Sequence, residues 1–454
     1  MKEKIHFIAI GGSAMHSLAL ALHQDGYRIS GSDDEIFDPA KSRLSEAGIL
    51  PPETGWFPEK LDAKPDLVIL GMHAKKDNPE LLRAQELHIP IYSYPEFLHR
   101  AFSEKNRIVI GGSHGKTTIT SMIMHIMHFF GKEMDFMVGA QLKGIENPVK
   151  ISSAPIAIIE GDEYLTSPID PRPKFHLYKP HIALISGIAW DHINVFPSFE
   201  NYVEQFAIFI QSIEKDGVLF YNAEDPHVLD LISKNSRTDI SCIPYSTPSY
   251  IQKEKDAELQ LGEKSIRMHI FGRHNFLNAA GAVAICSLLG IPEADCWEAL
   301  SSFEGAAKRL ELLYEKNGRS VYKDFAHAPS KLQSTLKAFL EKTGKALPCF
   351  ELHTYSSLNK DFLPQYKHSM NDAEEAVVFF SPHALSLKRL DSLSPTEVAQ
   401  AFAHPRLHIF TQAEDLKNFI LSRRSDYAHV LMMSSGNWDG LNLEELAQDF
   451  VEMT

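Results

Sequence analysis

The stretch Gly112-Ser113-His114-Gly115-Lys116-Thr117-Thr118 concentrates the residue types that handle phosphate. The run Arg107-Ile108-Val109-Ile110 before it reads as a strand, and Ile119 to Phe130 after it reads as an apolar helix. Strand, glycine turn and helix in that order make an anion cradle. The glycines let backbone N–H groups face a phosphate, and the helix N-terminus adds the positive end of a dipole. Lys116 offers a cation to the outer phosphates, and the Thr117 hydroxyl suits Mg²⁺. The usual nucleotide loop, G-x-x-x-x-G-K-[ST], has a glycine where this chain has Ile110. The tighter Gly112-x-x-Gly115-Lys116-Thr117-Thr118 spacing remains.

Other clusters follow strand-like runs. Glu160-Gly161-Asp162-Glu163 comes after Ile156 to Ile159, and Asp191-His192 after the run His181 to Ser186. Both therefore fall at the C-terminal ends of strands, where open parallel sheets place their ligands. If Glu160 and His192 converge on the loop, they complete a Mg²⁺ site with Thr117; the other reading is a solvated acid and a hydrogen-bonded histidine. Oxygen donors are the norm for Mg²⁺, which makes a histidine ligand unusual. His274-Asn275 opens a helix, as a cap or as an adenine contact. Asp324 and His327 lie in a strand-end loop, for local turn chemistry or for a site.

The elements that must position these groups are α/β throughout. Ile5 to Ile10, the turn Gly11-Gly12-Ser13, a helix from Ala14 to Gln24 and a strand from Tyr27 to Ser30 form a Rossmann-like opening. Gly31-Ser32-Asp33-Asp34 then puts an acid where dinucleotide folds read a ribose. Further strands are expected at Leu67–Leu70 and Ile89–Tyr92, and a loop at Ser103–Asn106 closes the first domain. A central domain runs to about residue 312, with a helix from Ser198 to Lys215 and an edge-hairpin region from Asp239 to Ile270. In the third domain, Arg319 to Tyr322 is a strand and Ser330 caps a helix to Lys342. Strands at Leu347–Leu352, Ala376–Phe380 and Val430–Met433 complete it. No fixed-period repeat is visible.

At 454 residues the chain suits about three domains. Lys plus Arg total 45 against 59 for Asp plus Glu, a net charge of −14, which argues against a general nucleic-acid binder. The cysteines Cys242, Cys286, Cys296 and Cys349 show no zinc or redox spacing. The apolar run after Met1-Lys2-Glu3-Lys4 is too short for a secretory signal, and no run has the length of a membrane span. The expectation is a cytoplasmic protein with no membrane partner; the oligomeric state is not legible.

Taken together and in order, these stretches resemble the ATP-dependent Mur ligase family of peptidoglycan synthesis. Gly112 to Thr118 is similar to the family's ATP loop, G-T-[HN]-G-K-T-T, with Ser113 in place of threonine. Glu160-Gly161-Asp162-Glu163 resembles E-A-D-E, and Asp191-His192 matches D-H. His274-Asn275-Phe276-Leu277-Asn278 matches H-N-x-x-N at the adenine. Lys308-Arg309-Leu310-Glu311 resembles R-R-x-E, and Lys323 to Pro329 resembles D-D-[FY]-[AG]-H-H-P, departing at Lys323 and Ala328.

The resemblance implies three domains: a Rossmann-like UDP-binding domain (1–104), a central P-loop-type ATPase domain (105–312) and a C-terminal Rossmann-like domain for the amino substrate (313–454). It implies ATP and Mg²⁺ as cofactors, with Lys116, Glu160 and His192 catalytic and Thr117, Glu160 and His192 at the metal. ATP would meet Gly112 to Thr118, His274, Asn275, Asn278, Arg309, Asp324 and His327. Gly11, Gly12, Ser13, Met15, Ser32 and Asp33, with His73 added from a strand-end loop, would meet a UDP-sugar. The implied reaction joins UDP-N-acetylmuramate to an amine through an acyl phosphate. The amine is L-alanine or the recycled tripeptide L-alanyl-γ-D-glutamyl-meso-diaminopimelate, the tripeptide being preferred. Thr354 stands where the alanine-adding enzymes carry an arginine. Two other classes are a nicotinamide oxidoreductase on residues 5–34 and a nucleotide-dependent regulator without turnover.

Overall fold

The aliphatic runs expected as strands are strands, and the central ones are buried on both faces, as helices covering both sides of a parallel sheet require. The computed structural model describes residues 2–139, 144–235, 237–253, 256–303 and 310–452. The chain divides into two compact units. One comprises Met1–Ile188, Val203–Ser246 and Gly281–Glu293; the other comprises Ala189–Tyr202, Thr247–Ala280 and Ala294–Thr454.

In the first unit, β1 (Lys4–Ile8), β2 (Arg28–Ser32), β3 (Leu67–Leu70) and β4 (Ile91–Ser93) form a parallel sheet in the order β2-β1-β3-β4. The chain leaves β1 for β2 on one side and returns through β3 on the other. The C-terminal end of β1 is therefore a topological switch point, the place where such sheets take ligands. A second sheet is built from β5 (Asn106–Gly111), β6 (Asp135–Met137), β7 (Val149–Lys150) and β8 (Ile156–Glu160). After a hairpin of β9 (Leu165–Ser167) and β10 (Asp170–Pro173), it is extended by β11 (Ile182–Ile185), β12 (Val218–Asn222) and β13 (Ser241–Tyr245). Its order is β13-β12-β11-β5-β8-β6-β7, parallel apart from β7. β5 stands between β8 and β11, so a second switch point lies where β5 delivers the glycine loop.

The second unit holds an antiparallel meander of β14 (Tyr250–Gln252), β15 (Ala257–Leu261) and β16 (Lys264–Met268). It also holds a six-stranded sheet of β17 (Glu311–Lys316), β18 (Arg319–Asp324), β19 (Leu347–Leu352), β20 (Ala376–Phe380), β21 (Leu407–Phe410) and β22 (His429–Met433), in the order β17-β18-β22-β19-β20-β21. Strand alternation sends Tyr322, Phe350, Val378 and Leu431 to one core and Val321, Cys349, Val377 and Val430 to another.

Several expected elements change. The hairpin region from residue 239 is not one hairpin: β13 joins the central sheet as a parallel edge strand, and only the residues after it form the meander. β17 pairs antiparallel with β18 across Asn317-Gly318, both at positive φ, a turn whose Asn-Gly signal marks a hairpin. Ser330 does not cap its helix. Pro329 opens the helix Pro329–Thr343, and Ala328 is the residue before it.

Beneath the first sheet lies a buried polar network. His6 and Glu80 are 1% and 0% exposed. His6 pairs with Glu80 Oε2 at 3.2 Å through Nε2 and with Ser30 Oγ at 2.9 Å through Nδ1. Phe57 N–H donates to Glu80 Oε1 at 2.8 Å. Burial pushes the Glu80 pKa up, but the hydrogen bonds from His6 and Ser32, the charge of His6 and the Phe57 N–H together hold it below the ordinary value. A depressed folded pKa gives stability that is present above the unfolded value of 4.5 and lost as pH falls through the folded pKa. Glu80→Gln is expected to cost about 2 kcal/mol at neutral pH, read as a drop in the urea midpoint. The gap to the parent chain should close as pH is lowered below 4.5; a gap independent of pH would contradict an ionised Glu80.

Candidate active site

The loop between β5 and the helix Lys116–Phe129 is held open by contacts from the end of β11. Gly112 has φ 129°, and a Cβ there would fall on Ser186 Oγ and within 3.0 Å of Ser186 N. Ser113 N–H donates to Gly187 O at 2.9 Å, and Ser186 Oγ donates to the His114 carbonyl. Gly115, at φ 83°, is the residue before the helix, and no side chain caps the helix start. The first turn of N–H groups therefore faces the loop without a side-chain acceptor, the arrangement that takes an anion. Thr118 and Ser113 are buried in the cradle wall.

Lys116 Nζ donates to the Gly112 carbonyl at 2.7 Å and forms an ion pair with Glu163. Burial works against charge on Lys116, but the Glu163, Asp162 and Glu160 carboxylates outweigh it and hold its pKa above the ordinary value. Asp162 is paired with Lys174 at 2.6 Å. Glu160 accepts from Thr117 Oγ1 at 2.9 Å and from Gly139 N–H at 2.9 Å. Burial pushes its pKa up, against the Gly139 hydrogen bond, Lys116 and Thr117. Thr117 and Glu160 thus present adjacent oxygen donors, and Glu160 is a buried carboxylate whose hydrogen-bond donors are neutral. That donor set fits Mg²⁺, a hard cation that takes oxygen ligands. Among the described residues no cluster of three or more His, Cys, Asp or Glu forms a metal site by itself.

At the switch point of the first sheet, Gly11 N–H donates to Asp33 Oδ2 at 2.7 Å, and Asp34 N–H to Asp33 Oδ1 at 3.0 Å. Burial, with the neighbouring Asp34, raises the Asp33 pKa to about 6. Asp33, expected at a ribose, is thus engaged with the glycine turn itself. Ser32, also expected at the UDP-sugar, is 0% exposed, and its hydroxyl accepts a 2.8 Å bond from Lys60. Met15 is buried and packs beside Gly12, Ser13 is exposed at the helix start, and exposed His73 lies near Gly12.

In the second unit, His192 has φ 56°, and its N–H donates to Asp191 Oδ1 at 2.8 Å. Asp191 is 4% exposed; its Oδ2 has Lys331 Nζ at 3.6 Å and His327 Nε2 at 3.9 Å. Burial would raise its pKa, but the charges of Lys331, His192 and His327 pull it far below the ordinary carboxylate range. His327 Nδ1 bonds the Phe325 carbonyl at 2.8 Å, and Lys331 Nζ lies 3.3 Å from Nε2. Asp324 is used locally: it accepts from Leu310 N–H at 2.9 Å, Ala326 N–H at 2.7 Å and Thr335 Oγ1 at 3.2 Å. Its side chain therefore organises the turn, the reading the sequence had kept beside an ATP contact. Asn275 is not the cap: Gly272 precedes the turn, and Asn275 Nδ2 bonds back to Phe271 O at 2.9 Å. His274 lies beside Gly272, and Asn278 is buried. Arg309 lies outside the described residues.

Sequence reasoning missed Gly139, the pair Ser186-Gly187 at the end of β11, and Lys331. Gly139 carries no signal, because its N–H meets Glu160 only through the order of β6 and β8. Lys331 lies in the first turn of the helix Pro329–Thr343 while His327 lies in the loop before it, so helical spacing gave no signal for the pair.

A parallel sheet whose central strand feeds a glycine loop and a helix N-terminus is the architecture of nucleotide-handling α/β enzymes. The Mur ligase middle domain family matches residues 110–286, and the model described as Mur ligase family, catalytic domain matches residues 4–106. The UDP-N-acetylmuramate–L-alanine ligase of Caldicellulosiruptor bescii is 33% identical over 391 residues, covering 83% of each chain. The UDP-N-acetylmuramate–L-alanyl-γ-D-glutamyl-meso-2,6-diaminoheptandioate ligase of Haemophilus influenzae is 28% identical over 461 residues, covering 97% of this chain and 98% of that one. The crystal structure of a murein peptide ligase from Psychrobacter arcticus shares the fold, with a TM-score of 0.68 at 22% identity over 100% of this chain and 99% of that one.

The chain belongs to the Mur ligase family, and it is a ligase. Membership sets aside the nicotinamide oxidoreductase. Mur ligases are ATP-dependent and generally require Mg²⁺. Among the described residues no helix is long and apolar enough to cross a membrane.

Gly112→Ala tests the cradle. The left-handed backbone and the clash with Ser186 put about 1–3 kcal/mol of strain on the loop. Affinity for a fluorescent ATP analogue is expected to fall about tenfold or more, with the thermal midpoint lowered by only a few degrees; unchanged affinity would mean that this loop does not carry the nucleotide.

Proposed function

We propose that this ligase joins UDP-N-acetylmuramate to the recycled tripeptide L-alanyl-γ-D-glutamyl-meso-diaminopimelate, using ATP, in the cytoplasm. The observation that carries the reading is the grouping of Lys116, Thr117 and Glu160 on an uncapped helix start at the switch point of the central sheet. A carboxylate is a poor electrophile. Transfer of the γ-phosphoryl group to the muramyl carboxylate gives an acyl phosphate and ADP; attack by the amine then forms the amide and releases phosphate. Phosphoryl transfer of this kind demands alignment and charge compensation more than covalent help. Lys116 is held cationic for that purpose, and the N–H groups of residues 115–118 orient the phosphates. Thr117 and Glu160 would hold Mg²⁺, which supplies charge neutralisation when bound. His192 is proposed as a further ligand, and His274, Asn275, Asn278, Arg309 and His327 keep the nucleotide-facing roles implied by the family pattern.

The first sheet, residues 1–104, is assigned to the UDP-sugar through Gly11, Gly12 and Ser13, the central region 105–312 to ATP, and residues 313–454 to the amine. The tripeptide reading is supported by a relative named for it that matches 97% of this chain, a coverage that relatives named for L-alanine reach almost equally, at 96%. The second reading, L-alanine as the amine, is favoured by the higher identity, 33%, of a relative named for that reaction.

Lys116→Ala is expected to abolish UDP-N-acetylmuramate-dependent ADP release while circular dichroism stays unchanged; retained turnover would refute the role of the loop. A coupled phosphate assay with L-alanine and the tripeptide as competing acceptors should respond to the tripeptide alone. Activity with L-alanine alone would hand the assignment to the second reading.

A further inference from the structure

The first sheet is tied to the edge of the central sheet by a run of hydrogen bonds that the chemistry above does not use. His16, 3% exposed, lies one turn into the helix Ser13–Gln24, with Nδ1 3.0 Å from the Gly12 carbonyl. A carbonyl only accepts, so Nδ1 carries the proton and Nε2 is an acceptor. Arg43 Nη1 supplies the donor at 3.1 Å. The same guanidinium uses Nη2 to bond Glu146 O at 2.8 Å and Asn147 Oδ1 at 3.3 Å. Asn147 Nδ2 returns a bond to Ser17 O at 3.0 Å, back on the helix that carries His16. From there the connection runs along the β6–β7 hairpin. Val138 N–H bonds Pro148 O at 3.0 Å, and the adjacent Gly139 N–H holds Glu160 Oε2 at 2.9 Å. Each joint is a directed hydrogen bond, and Arg43 is the joint at which one planar fork meets three acceptors, a task a lysine ammonium performs poorly.

Resting on the assignment of the Gly11–Gly12 turn to UDP-N-acetylmuramate, we propose that His16 and Arg43 are positioning residues. They hold that turn in register with the hairpin that fixes Glu160, so that the nucleotide-sugar and ATP tighten each other's binding. Neither touches a reacting atom. Displacing the Gly12 carbonyl re-aims the N–H groups of the turn, while the relay carries the constraint to the carboxylate beside Thr117.

Calorimetric titration of UDP-N-acetylmuramate and of a non-hydrolysable ATP analogue, each alone and each with the other bound, tests this. In the parent chain each ligand tightens the other. Arg43→Met is expected to weaken UDP-N-acetylmuramate about tenfold, leave the ATP analogue alone unchanged, and remove the mutual tightening. His16→Leu should do the same, and the double variant should be no worse than either, because both remove one connection. Arg43→Lys should recover less than half of the loss. Where Arg43→Met does not fold, His16→Leu, of similar volume, decides the same question. A parent chain that does not bind UDP-N-acetylmuramate removes the assignment beneath the proposal. A parent chain that binds it, with both variants binding equally well, or without mutual tightening of the two ligands, overturns the proposal itself.

Discussion

The rest of the candidate site depends on an imbalance of buried charge. Three carboxylates lie within four residues at the end of β8, at Glu160, Asp162 and Glu163. Lys116 takes Glu163 and Lys174 takes Asp162, which leaves Glu160 with the Thr117 hydroxyl and the Gly139 N–H. Neutral donors offset part of the cost of burying a carboxylate, and a divalent cation offsets far more. The same carboxylates keep Lys116 charged in a place that would otherwise favour its neutral form. The candidate anion cradle and the proposed cation site therefore draw on one set of residues, each half supplying the charge that the other requires.

Topology explains why these residues meet. β5 stands between β8 and β11, so the loop after β5 is flanked by the ends of both neighbours. Ser186 and Gly187 at the end of β11 shape the loop, and Glu160 at the end of β8 meets Thr117. The first sheet repeats the device on a smaller scale, with Asp33 at the end of β2 fastening Gly11 after β1. In the second unit Asp191 and Asp324 act the same way, each using a buried carboxylate to fix a short turn. The recurrent pattern is a strand-end acid that orders backbone N–H groups.

Strands were the most legible part of the fold. Leu67–Leu70, Leu347–Leu352 and Ala376–Phe380 are mostly apolar runs of strand length, and the structure keeps them within their expected bounds. The helix after the phosphate loop was legible too, although it starts earlier, at Lys116, because Gly115 adopts the left-handed conformation that turns the chain into it. Where the reading slipped, a local preference yielded to a neighbour. Serine at position 330 resembles a cap, but Pro329 already has the backbone angle of a first helical residue. The residues 241–245 resemble hairpin material, but β12 offers them a parallel edge.

By itself the sequence determined the α/β character, the phosphate-type loop, the order of the motifs and the residue types that chemistry needs, because periodicity, glycine placement and spacing are properties of the linear chain. Tertiary structure alone decided the partners: Glu163 for Lys116, Gly139 for Glu160, Lys331 for Asp191 and Arg43 for His16. These pairs are tens of residues or more apart. Which strand lies beside which, and so which side chains share a buried space, is set by packing the whole sheet rather than by any local preference.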